Sequence, residues 1–134
     1  MPTWSLLDQL GERAVFPRVE RGSRVLQFHQ VATRSLLVPR GRLQLLEPPG
    51  DAPVVPLLDI DLFVVPGVAF SPDGRRLGRG GGYYDQTLAL APNALAVGVA
   101  FECCVEDDVP VDPHDRLVDA LVTESRTLVL QRRR

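Results

Sequence analysis

A chain of 134 residues is the natural size of one globular domain, long enough to bury a true core, and a hydrophobic share of 45% is that of a folded soluble protein. The formal net charge of −2 gives no support to nucleic-acid or membrane-surface binding. All 15 basic residues are arginines, which excludes any chemistry that needs a lysine, such as a Schiff base or the ammonium of a P-loop.

From the N-terminus, Thr3 followed by Trp4 to Leu10 and Gly11 predicts a short helix. Thr3 suits the N-cap, Gly11 suits the left-handed residue that ends a helix, and Leu6, Leu7 and Leu10 share a face. Met1-Pro2-Thr3-Trp4 has no basic region leading into an apolar core, so no signal peptide is read there. No apolar run approaches a membrane span, and a cytoplasmic protein is the expectation. Ala14-Val15-Phe16 reads as a strand stopped by Pro17, and 24–31 as a second strand of insecure register. Residues 36–47 fit helix or extended chain, broken by Pro39 and Gly41, and 47–56 is rich enough in Pro, Gly and Asp to be a loop.

Asp61 to Pro66 is a continuous apolar run that predicts a strand buried on both faces, as is Ala94 to Phe101. Ala120 to Thr123 predicts a third such strand, and Thr127 to Leu130 an edge strand. Between the first two, Tyr84, Leu88 and Ala91 recur at helical spacing. Strand, glycine turn, helix and strand make a βαβ unit, the building block of a parallel sheet, in one domain over residues 1–134. The adjacent Cys103 and Cys104 offer no disulfide framework, and His29 and His114 are too far apart to suggest a zinc cluster. The acidic run Glu106-Asp107-Asp108 reads as a solvated loop face, and Arg132 to Arg134 as a solvated tail.

The chemistry concentrates in the stretch from Val65 to Asp85, which begins where a buried strand ends, the place where open α/β sheets bind ligands. Glycines at 78, 80, 81 and 82 clear side chains from the turn, so that backbone N–H groups can approach a phosphate ahead of the helix. Arg76 and Arg79 add guanidinium groups that match phosphate oxygens. A Walker A loop would need Gly-Lys-Ser/Thr where Gly82-Tyr83-Tyr84 stands, and the dinucleotide pattern GxGxxG fails at Tyr83.

Gly78-Arg79-Gly80-Gly81-Gly82-Tyr83-Tyr84-Asp85, preceded by Pro66-Gly67-Val68-Ala69-Phe70, resembles the signature of the 5-formyltetrahydrofolate cyclo-ligase family. Similar order continues in Gly98-Val99-Ala100-Phe101-Glu102, Val109-Pro110, Pro113-His114-Asp115, Asp119 and Val122-Thr123-Glu124, and earlier in Phe16-Pro17-Arg18-Val19 and Glu47-Pro48. The resemblance implies a three-layer α/β fold with an open, mostly parallel sheet, cyclo-ligase or NagB-RpiA-CoA-transferase-like. It implies ATP- and Mg²⁺-dependent conversion of 5-formyltetrahydrofolate, a small molecule, to 5,10-methenyltetrahydrofolate. In that reaction the formyl oxygen attacks the γ-phosphate, N10 closes on the activated carbon and phosphate leaves.

By the same resemblance, Arg76, Leu77, Gly78, Arg79, Gly80, Gly81, Gly82, Tyr83 and Tyr84 would hold the ATP phosphates. Arg79 and Tyr83 would serve catalysis, with Tyr83 or Tyr84 facing pterin or adenine, and Asp85 and Asp115 would bind Mg²⁺. For Asp115 a turn in which its carboxylate bonds its own backbone is the alternative. A monomer or weak dimer is expected. The family opens with a basic helical segment and a Glu-x-Asp-Thr motif, of which Thr3 matches only the last residue, so the chain is expected to lack that segment. Codons upstream of Met1 are expected to encode it. Cys104 stands where the family often has Gln, and Gln86 where it often has Arg. A short chain that only binds a nucleotide or a partner remains the alternative.

Overall fold

The computed structural model describes residues 4–110, 112 and 115–130. Thr3, Pro113, His114 and Arg132 to Arg134, each given a role by the sequence, lie outside the described residues. Helix α1 (Trp4–Leu10) forms as its leucine spacing predicts and ends at Gly11, with φ of +56°. Of the three leucines only Leu7 is buried.

Strands β1 (Val15–Arg18) and β2 (Gln27–Gln30) come next, then a hairpin of β3 (Val38–Arg40) and β4 (Leu45–Glu47), and the short β5 (Val54–Val55). β2 lies between β1 and β5 in an antiparallel sheet. Pro17 does not stop β1; it pairs with Phe28 inside the strand. An edge strand has one neighbour only, so the N–H that proline lacks is tolerated there. The ambiguous stretch 36–47 is extended, and Gly41 at φ +71° with Gln44 at φ +51° turns the β3–β4 hairpin. His29 is buried in β2, its Nδ1 hydrogen-bonded at 2.8 Å to the Ala52 carbonyl, which accounts for a histidine away from any site.

The second half is built on β6 (Leu62–Val65), a tight hairpin of β7 (Ala69–Phe70) and β8 (Arg76–Leu77), and helix α2 (Tyr83–Ala89). β9 (Leu95–Val99), β10 (Ala120–Val122) and β11 (Thr127–Val129) complete it. The sheet order is β11-β10-β9-β6, with β6–β9 and β9–β10 parallel and β10–β11 antiparallel. The expected βαβ unit is therefore present, with the β7–β8 hairpin inserted between strand and turn. Among the described residues, parallel strand pairing involves these three strands, with one isolated parallel bridge between Phe70 and Val105, while the other sheet and both hairpins are antiparallel. The fold is mixed α/β with few helices.

Burial on both faces is corrected by the exposure pattern. Phe63 and Val65 are buried, whereas Leu62, Val64 and Leu95 are each more than two-fifths exposed. Among the described residues the second face is the less covered one, exposed at Leu62, Val64 and Leu95 and partly buried at Val97 and Val99. The buried face meets Leu88 of α2, Ala91 just beyond that helix and Phe28 of β2 in one core cluster. Phe28 touches Phe63 edge-on, the ring centroids 5.3 Å apart, which joins the two sheets.

Phe70 sits in this core fully buried, and Gly98 in β9 makes room for it. A methyl group at Gly98 would stand 2.5 Å from the Phe70 ring, well inside contact distance. Gly98→Ala should lower stability by about 1–3 kcal/mol through overpacking. Urea unfolding measures this, and an unchanged midpoint would show that Phe70 is not seated against β9.

Candidate functional site

The end of β6 and the β7–β8 hairpin aim the glycine turn. Val68 N–H donates to the Leu77 carbonyl at 2.7 Å, closing the hairpin onto the strand end. At the hairpin tip the buried Ser71 hydroxyl donates to Asp73, and it accepts from Arg75 N–H at 2.9 Å. The Ser71 bond, followed by the Arg75 side chain, holds the Asp73 carboxyl below its ordinary 3.8. Arg75 reaches on to the carbonyls of Asp107 and Val109 at 2.6 and 2.9 Å, which fastens the 107–110 loop beside the site.

Gly80 and Gly82 have φ of +92° and +74°, a region that side chains with a Cβ rarely enter. Gly82 is the N-cap residue of α2, and no side chain caps the helix. The Tyr83 ring lies over Gly81, where a Cβ would come within 2.8 Å of it. The glycines thus serve curvature at 80 and 82 and close approach at 81. Arg79 is exposed and carries no ion pair among the described residues.

Arg76 behaves differently from Arg79. Its side chain is 8% exposed, with Nη1 donating to the Pro66 carbonyl at 2.9 Å and Nη2 to Asp85 Oδ1 at 3.2 Å. The guanidinium also lies over the Tyr84 ring, 5.7 Å from its centroid. Burial pushes the Tyr84 phenol above its ordinary value, and the Arg76 charge opposes that shift. Arg76 brackets strand end and helix, whereas Arg79 is the guanidinium open to a ligand.

Asp115 shows the turn geometry set out as the alternative: its Oδ2 accepts from Asp112 N–H at 2.9 Å. Its neighbour Arg116 donates to the carbonyl of Ala91 at 3.0 Å, tying this segment to the end of α2. Asp115 nevertheless lines the same cleft as Asp85, as does Asp112, which the sequence reading did not single out.

That cleft measures about 920 Å³ and is lined by every residue from Arg76 to Asp85. Its opposite wall comes from the first half of the chain: Pro17, Val19, Leu26, Glu47 and the hairpin leucines Leu43, Leu45 and Leu46. The hairpin leucines are exposed, Leu43 by 69%, so the cleft has an apolar wall facing a polar turn. Nothing local in 38–47 marks it as a site wall; the Glu47-Pro48 resemblance was the one available signal. Arg24, also missed, donates to the Gly81 carbonyl.

The family model described as the 5-formyltetrahydrofolate cyclo-ligase family matches residues 3–124. The chain belongs to that family. It is 36% identical over 133 residues to the 5-formyltetrahydrofolate cyclo-ligase of Escherichia coli (strain K12), covering 94% of this chain and 72% of that protein. It is 44% identical over 77 residues to the mitochondrial 5-formyltetrahydrofolate cyclo-ligase of Arabidopsis thaliana, which is 49% of this chain and 28% of that protein. The NMR structure of Aquifex aeolicus 5,10-methenyltetrahydrofolate synthetase matches with a TM-score of 0.79 at 32% identity. That match covers 100% of this chain and 68% of the other. The chain thus spans between about a quarter and three quarters of these cyclo-ligases.

Two expectations follow from this geometry. Arg76→Ala should lower stability by roughly 2 kcal/mol, because the Pro66 carbonyl and Asp85 lose a charged partner, while Arg79→Ala should shift it by less than about 0.5 kcal/mol. Thermal unfolding of both variants tests the contrast, and equal losses would contradict it. Folding lowers the Asp73 pKa, so its stabilising contribution is complete above 3.8 and lost as pH falls through the lower folded value. Asp73→Asn should therefore cost stability at neutral pH and little in acid well below 3.8. The same urea-midpoint loss at both pH values would count against that account.

Proposed function

We propose that this chain works as a 5-formyltetrahydrofolate cyclo-ligase, using ATP to convert 5-formyltetrahydrofolate to 5,10-methenyltetrahydrofolate. The observation that carries this reading is one cleft with a glycine turn, a free arginine and carboxylates on one side and an apolar hairpin on the other. The polar side suits a triphosphate, and the wall of Leu43, Leu45 and Leu46 suits the flat rings of a folate. Backbone N–H groups of Gly78 to Gly82 and the Arg79 guanidinium would bind the phosphate oxygens. Arg76 and Leu77 would support the turn from its start. Arg79 would stabilise charge that develops on the γ-phosphoryl oxygens as the formyl oxygen attacks. Tyr83 would close over the bound ring system, and Tyr84, held by Arg76, would back it.

Asp85 and Asp115 fit a divalent cation. Each has one carboxylate oxygen tied within the protein, to Arg76 and to Asp112 N–H respectively, which leaves the other for a ligand. Mg²⁺ takes one or two carboxylates and completes its shell with phosphate oxygens and water. No group of three metal-ligating side chains occurs among the described residues. Bound there, Mg²⁺ would supply charge neutralisation to the phosphates. The exposed Leu62, Val64 and Leu95 support a third layer over the open sheet face. No helix among the described residues is long and apolar enough to cross a membrane. The reading is of a monomer or weak dimer acting in the cytoplasm, and the net charge of −2 supports a role without nucleic acid.

Formation of the methenyl chromophore from 5-formyltetrahydrofolate, dependent on both ATP and Mg²⁺, tests the reading directly. Arg79→Ala should lower kcat/KM for ATP roughly a hundredfold, the size of a lost transition-state contact, with folding intact. Binding of Mg·ATP without turnover would support the alternative of a non-catalytic nucleotide-binding relative. A chain that neither turns over nor binds nucleotide would overturn both.

A further inference from the structure

The glycines that open the turn also leave it poorly determined. A peptide unit between two glycines rotates at little cost, since neither residue has a Cβ to restrict it. Its orientation matters, because a planar trans peptide points its C=O and N–H in opposite directions. If the Gly81 carbonyl swung into the cleft it would present a negative oxygen to a phosphate and turn the Gly82 N–H away.

One side chain bears on that choice. Arg24, in the loop before β2, donates from Nη1 to the Gly81 carbonyl across 57 residues of sequence. Gly81 and Gly82 line the cleft, and the Arg24 guanidinium holds the carbonyl of the peptide that joins them. Its base is rigid. Two residues on, the Leu26 N–H donates to Thr87 Oγ1 at 2.8 Å, and that hydroxyl donates to the Tyr83 carbonyl at 2.5 Å. Leu26 and Thr87 are both buried, so the backbone of 24–26 is fixed to α2 whether or not the arginine is present. Arg24 itself is exposed, which makes its side chain dispensable for the core.

We infer that Arg24 is a positioning residue for phosphate binding: by holding the Gly81 carbonyl it fixes the orientation of the Gly81–Gly82 peptide, and with it the direction of the Gly82 N–H. The inference rests on the nucleotide reading given under the proposed function. Arg24 touches no ligand; it acts through the Gly81–Gly82 peptide. A lysine can make the same bond to a carbonyl with a single donor, whereas alanine cannot.

The test combines ¹⁵N relaxation of the Gly80–Gly82 amides with titration of the Mg²⁺ complex of the β,γ-methylene analogue of ATP. Wild type, Arg24→Ala and Arg24→Lys are compared. In Arg24→Ala the three amides should become more mobile without nucleotide, with unfolding unchanged. Affinity for the analogue should fall about tenfold, the worth of one well-placed hydrogen bond, and KM for ATP should rise with it while kcat is largely kept. Arg24→Lys should recover most of the order and the affinity. Unchanged amide relaxation in Arg24→Ala would overturn the anchoring. Mobile amides with unchanged analogue affinity would overturn the role in phosphate binding. Failure of the wild-type chain itself to bind the analogue would overturn the nucleotide reading, and is distinguished from failure of Arg24 alone by that wild-type measurement.

Discussion

The guanidinium of Arg76 reaches the Pro66 carbonyl, the Asp85 carboxylate and the face of Tyr84 at once, so one side chain ties the end of β6 to the first turn of the helix. Between those two points the chain has little stiffness of its own, because four of the five residues 78–82 are glycine. The turn holds a shape because its two ends are clamped. Arg76 is nearly buried while it does so, at 8% side-chain exposure, and its charge is answered by Asp85 rather than left alone. That commitment separates the two arginines of the motif, with Arg76 holding the frame and Arg79 facing outward.

The rest of the site is assembled around that clamp by similar long-range fastenings. Arg75 draws the 107–110 loop against the β7–β8 hairpin, and Arg116 draws the segment carrying Asp115 onto the end of α2. Both arginines bond backbone carbonyls, which a fork of five donors does without needing a matching charge. With no lysine in the chain, arginine performs each of these tasks. The acidic side of the cleft is therefore as dependent on tertiary contacts as the glycine turn is. Phe70 beneath it, filling the space left by Gly98, connects this arrangement to the core of the parallel strands.

Several elements could be read from local pattern alone. The helix 4–10, the βαβ unit and the edge strand at 127–129 each follow from short-range spacing or from turn chemistry. The errors share a cause, which is that burial and pairing depend on neighbours. An apolar run such as 62–65 looks the same whether one face is covered or two, and Pro17 looks like a strand stop until its strand proves to be an edge. The hairpin 38–47 carries no strong period, so its extended form and its place as the apolar wall were both hidden.

By itself the sequence determined the family and the glycine-rich turn within residues 76–85, because glycine spacing and flanking arginines are local properties that survive without the rest of the chain. Only the tertiary structure decided which arginine is free and which is bound, which carboxylates share the cleft, and that leucines from a distant hairpin form its other wall. Those outcomes are set by contacts that range from Arg76 with Asp85 and Pro66, 9 and 10 positions away, to Arg18 with Pro48 and Arg24 with Gly81, separated by 30 and 57. Such contacts form because the core joins the two sheets through Phe28 and Phe63, and no periodicity in a single stretch of sequence records that meeting.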